Sequence, residues 1–109
     1  MTVKVFQIRD QESLYPAVSF TYGMGDIGFK PLDHIEKYEH VADIAGDSLN
    51  EAYEYGNIGP ETFIKRHKDM HSISVGDILV KDNGETFVVA RSGFDQIDSQ
   101  FMLSVEEVA

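Results

Sequence analysis

The sequence predicts an α+β fold: a mainly antiparallel sheet of about four to five strands, packed by one capped helix and a short helical turn. Three observations carry that expectation. Strand-length apolar runs rich in β-branched residues recur near the start, in the middle and in the last third of the chain. One capping box, Ser48 with Glu51 three residues on, precedes apolar residues at helical spacing. Asn83-Gly84 separates two β-branched runs, among the strongest short-range signals for a hairpin.

The first strand covers Thr2 to Arg9. Val3, Val5 and Gln7 fall on one face and Lys4, Phe6 and Ile8 on the other, so both faces carry apolar residues, as in a central strand. Asp10 to Glu12 is turn-like. Leu14 to Tyr22 reads as extended, with Pro16 confining its start to an edge. Gly23 to Pro31 is a glycine-rich loop. Tyr38 to Ile44 reads as a strand that sets Tyr38, His40, Ala42 and Ile44 against Glu39, Val41 and Asp43.

The helix follows. Ser48 is its N-cap, Leu49, Ala52 and Tyr53 are its apolar positions, and Gly56 or Asn57 supplies the stop. Tyr53 and Tyr55, two apart, cannot share one helix face, so one is expected buried and the other exposed. Pro60 opens a second, short helical turn over Glu61 to His67, with Phe63 and Ile64 as its contacts. Ile73 to Val80 and Thr86 to Ala90 form the hairpin, with positive φ expected at both Asn83 and Gly84. The tail from Ile97 to Val108 adds either a strand over Gln100 to Val105 or a short terminal element. With 109 residues and no linker, repeat or low-complexity stretch, residues 1–109 read as one domain.

Composition narrows the function. Cysteine is absent, which rules out disulfides and thiolate chemistry and fits a reducing, cytoplasmic setting. No apolar run approaches the ~20 residues that span a bilayer, and the N-terminus lacks the apolar core of a signal peptide. A net charge of −10 repels nucleic acid and anionic membrane, so neither is expected as a direct partner. That charge is unevenly spread. Asp33 to Glu61 holds eight acidic residues and only Lys37 against them, whereas Lys65-Arg66-His67-Lys68 is the one basic cluster.

Reactive constellations are weak. Gly23-Met24-Gly25-Asp26-Ile27-Gly28 matches the dinucleotide pattern G-x-G-x-x-G, but Pro31 prevents a helix from running on from it. His67 and His71 stand four apart, and His34 or His40 could join from elsewhere, yet Lys65, Arg66 and Lys68 crowd that stretch with positive charge. No nucleophile elbow or paired base is visible. The sequence therefore predicts no catalytic residues, no metal and no cofactor.

His71-Ser72-Ile73-Ser74-Val75-Gly76-Asp77-Ile78, the hairpin after it and then Ser92-Gly93-Phe94 resemble the YodL-like small domains of phage and conjugative-element proteins. Those carry a similar Ser-x-Ser-Val-x-Asp run before a hairpin and a Ser-Phe-Gly-Phe-like signature after it. Arg91-Ser92-Gly93-Phe94 departs from that signature, with no aromatic residue between serine and glycine. Tyr38 to Ile58 also looks like the part that precedes the signature. The resemblance implies origin in a mobile element and no particular activity. Read for themselves, Gly76 and Asp77 make a tight turn, and Gly93 allows positive φ while Phe94 docks.

These readings predict a non-catalytic protein-binding module. Its acidic face, Asp43, Asp47, Glu51 and Glu54, would engage a basic protein partner, in the sharper version as a DNA mimic. The alternative is a small-molecule or nucleotide binder built on Tyr22, Gly23, Gly25 and Gly28.

Overall fold

The computed structural model describes residues 2–8, 38–69, 73–90 and 93–97. They form strands β1 (Thr2–Ile8) and β2 (Tyr38–Ala45), helix α1 (Leu49–Ile58) and a 3-10 turn (Glu61–Phe63). Strands β3 (Ile64–Arg66), β4 (Ile78–Lys81), β5 (Thr86–Val89) and β6 (Phe94–Ile97) follow. All six strands lie in one sheet of order β3-β2-β1-β4-β5-β6. Every neighbouring pair is antiparallel. The α+β class holds, with six strands among the described residues where four to five were expected.

β1 sits between β2 and β4, which explains its apolar content on both faces. Val3 and Val5 face α1 with Ala42, Ile44, Leu79 and Val89, and Ala52 of the helix closes over them. On the other face Phe6, Ile8, Tyr38, Ile78, Val80 and Val88 are also buried. At roughly 25 cal/mol per Å² of apolar surface removed from water, such a two-faced core is the main stabilising term.

The capping box forms as read, with one shift. The Glu51 N–H donates to Ser48 Oγ at 3.1 Å, while the Glu51 carboxylate accepts from the Asp47 N–H at 3.0 Å. The helix runs past Gly56 and Asn57 and ends at Gly59, whose φ of 93° belongs to the left-handed region. Gly56 instead lets α1 approach Ile44 and Ile73, where a Cβ would meet their terminal methyls. The Asn57 side chain clamps the Ile73 backbone, accepting from its N–H at 2.5 Å and donating to its C=O at 3.2 Å.

Two other local expectations are corrected. Only Glu61–Phe63 is helical, as a single 3-10 turn, and residues 64–66 are extended because they pair with Ala42–Ile44 of β2. Sheet pairing thus overrides a weak helical pattern. In the hairpin, Gly84 has φ 92° and no non-glycine residue among those described has positive φ, Asn83 included. Gly84 N–H donates to Lys81 C=O and Lys81 N–H to Glu85 C=O, both at 2.9 Å. That is a three-residue loop over 82–84 with glycine at its left-handed position, wider than a two-residue turn.

The Ser74–Asp77 turn is a structural fastening. Asp77 Oδ2 accepts from the Ser74 N–H at 2.9 Å and the Gln7 amide at 3.1 Å, and Tyr38 Oη donates to Gly76 C=O at 2.6 Å. Gly93 has φ 82° and Phe94 packs half-buried against the core, as the sequence suggested. The expected strand at Leu14–Tyr22 and the Gln100–Val105 element lie outside the described residues. No helix among the described residues is long and apolar enough to cross a membrane.

Candidate functional site

The charge segregated along the sequence is partly re-mixed in space. β3 runs back along β2 and carries the basic cluster to the acidic segment. Arg66 holds Glu61 through two bonds, Nε to Oε1 and Nη2 to Oε2, the latter 3.0 Å. Lys68 Nζ reaches Glu39 at 2.9 Å. The Arg66 bonds keep the Glu61 carboxyl below its ordinary range despite some desolvation.

Asp43 leaves the expected acidic face. In β2, Ala42 stands opposite Val5 but His40 opposite Phe6, so Val41 is the extra residue of a β-bulge. Residues three apart on a regular strand point to opposite sides. The bulge cancels that and puts His40 and Asp43 together on the face away from α1, while Val41 joins the helix-side core. The strict alternation expected for Tyr38 to Ile44 therefore breaks at Val41. Asp43 Oδ1 contacts His40 Nε2 at 2.7 Å, and Oδ2 contacts His67 Nε2 at 2.9 Å. Burial alone would raise the Asp43 carboxyl; the bonds from His67 and His40 outweigh it and hold the group below its ordinary range.

Asp47, Glu51 and Glu54 stay together at α1, on the opposite side of the sheet from Asp43. None of the three forms an ion pair among the described residues. An open groove of about 310 Å³ lies beside them, lined by Ala45, Gly46, Asp47, Glu51, Tyr55 and Phe63. Tyr55 and Phe63 pack ring to ring at 4.7 Å, and Tyr55 Oη donates to Glu51 Oε1 at 3.5 Å. Desolvation first, then Glu51, Glu54 and Asp47, pushes the Tyr55 phenol above its usual range, so it remains a neutral donor. Tyr53, the other tyrosine of the pair, is the exposed one and meets Phe94 edge-on at 6.2 Å. Phe63 and Ile58 are exposed nearby, at 41% and 82%.

Of the acidic residues singled out from the sequence, Asp47 and Glu51 line this groove and Glu54 stands outside its lining on α1, whereas Tyr55 and Phe63 were not singled out as lining residues. The signal was present: an aromatic residue four positions after Glu51, and a second one within the turn that Pro60 opens. Tyr22, Gly23, Gly25 and Gly28 of the alternative loop, with His34 and His71, lie outside the described residues. Comparison of the chain with family models, with curated proteins and with solved structures finds no match.

Proposed function

We propose that this chain is a non-catalytic protein-binding module that takes a basic segment of a partner protein into the groove at the start of α1. One observation carries the reading: two carboxylates and two packed aromatic rings line the same open groove. A lysine or arginine side chain suits that lining, with its charge at Asp47 and Glu51 and its stem or guanidinium against Tyr55 and Phe63. Glu54, exposed on the same helix, extends the negative field that would steer such a partner inward. The chain's net charge of −10 supports the same sign of partner.

The resemblance of residues 71–78 and 92–94 to YodL-like domains favours origin in a mobile element, and the cysteine-free composition favours a cytoplasmic partner. Where that partner's basic surface is its nucleic-acid site, the chain would act as a DNA mimic.

Calorimetry with an arginine-rich peptide, and with an acidic peptide of equal length as control, tests the reading. The expected result is binding of the basic peptide alone, weakening as salt rises, and loss of most of that affinity in Asp47→Asn/Glu51→Gln. Glutamine at 51 keeps the capping box, so this variant removes charge without removing the cap. Equal affinity in the parent and the variant would move attention to the loop of Tyr22, Gly23, Gly25 and Gly28. Displacement of the chain from a basic protein by duplex DNA would distinguish mimicry from other docking.

A further inference from the structure

We propose that His40, Asp43 and His67 form a binding site for one divalent transition-metal ion of the zinc class. Each residue offers a ligand atom, and these atoms all lie within 4.8 Å of one another. Both Nε2 atoms point at the same carboxylate, at 2.7 and 2.9 Å. An ion about 2.0–2.2 Å from each nitrogen and from an Asp43 oxygen needs only a small outward shift of the side chains. Two imidazoles and one carboxylate select the zinc, cobalt and nickel group over magnesium or calcium, which take all-oxygen sites. Three protein ligands leave one tetrahedral position for water.

The site is built by the fold and not by chance proximity of long side chains. The bulge at Val41 turns His40 to the Asp43 side, and the Val41 carbonyl accepts from the His67 and Lys68 N–H groups at 2.8 and 3.2 Å. One irregularity thus places all three ligands. The His40 ring stacks on the buried Phe6 ring, centroids 5.1 Å apart and planes 26° apart, which fixes its orientation. The His67 ring lies 4.7 Å from that of His40. About a third of each imidazole is exposed, so an ion can reach the nitrogens from solvent.

Nearby cations temper the site without filling it. Lys4 of β1 and Lys65 of β3 stand opposite Asp43 in register, and both are exposed, so their ammonium groups can extend into water. Lys68 is held by Glu39. The competing account is a plain His–Asp–His tie fastening the segment after β3 to β2, and metal affinity separates the two.

Cobalt and zinc are titrated into chelator-treated full-length protein, followed by the visible absorption of cobalt and by calorimetry. One ion per chain is expected, with affinity falling more than about tenfold in each of His40→Gln, His67→Gln and Asp43→Asn. Imidazole nitrogen spectra of the unmutated chain serve as a second readout that does not depend on variants folding: zinc should shift both Nε2 signals of His40 and His67. Absence of one-to-one binding, unchanged affinity in His40→Gln/His67→Gln, or unshifted His40 and His67 signals at saturating zinc would overturn the proposal.

Discussion

Asp77 should make the stability of this protein fall as pH rises. The residue is 1% exposed at the turn that leads into β4. Burial is the largest influence on its carboxyl and pushes the pKa up to about 8, outweighing the hydrogen bonds from the Ser74 N–H and the Gln7 amide. In the unfolded chain the same group titrates near 3.9. Between those values the folded protein holds a proton that the unfolded protein has lost. Its stability contribution is therefore complete below about pH 4 and is lost as pH rises towards 8. The slope approaches about 1.4 kcal/mol per pH unit inside the window, several kcal/mol across it as an upper bound. Asp77→Asn keeps an oxygen for Ser74 and Gln7 but carries no charge. Urea unfolding of both proteins at intervals from pH 5 to about pH 8.5 isolates the effect, because the two proteins differ only at position 77. The parent should be at least as stable as the variant at pH 5 and less stable at the alkaline end. Parallel stability profiles across the range would show instead that Asp77 is ionised at no unusual cost.

Other parts of the structure predict as directly. Gly84→Val should destabilise by about 1 kcal/mol or more through backbone strain alone, since a Cβ there meets nothing within 4 Å; an unchanged urea midpoint would contradict it. Gly56→Ala should destabilise by about 1–3 kcal/mol, despite alanine's better helix propensity, because the methyl collides with Ile73 and Ile44. A gain in melting temperature would mean that the Ile73 side chain yields freely. Chelator should leave the melting temperature unchanged, because the apolar core of β1, β2, β4, β5 and α1 holds the fold without an ion. A fall of many degrees with recovery on adding zinc would show that a metal is structural instead.

What the sequence disclosed was local. Alternation and β-branching marked β1, β2 and the hairpin, and Ser48 with Glu51 marked the start of α1, because each signal lies within a few residues of its effect. β3 is three residues long, and its extended form comes from β2, 22 residues away at the Asp43–Lys65 pair, so a Pro60-led helical pattern outweighed it in the reading. β6, four residues pinned to β5, escaped for the same reason. The bulge left one trace, adjacent apolar Val41 and Ala42 where alternation required a polar residue. His67 was paired by spacing with His71, whereas the structure brings it to Asp43, 24 residues away. The acidic excess was legible as composition, but its division into a part paired with basic groups at β2 and β3 and a part at α1 with no ion pair among the described residues depends on sheet order.

Amide spectra of the labelled protein, recorded while an arginine-rich peptide is added at low salt, locate the binding surface residue by residue. The peptide should perturb the groove, at Ala45 to Asp47, Glu51, Tyr55 and Phe63, with Glu54 on the same helix, and the perturbations should collapse as salt is raised. Perturbations confined to residues 22–28, or an unaltered spectrum at saturating peptide, would contradict it.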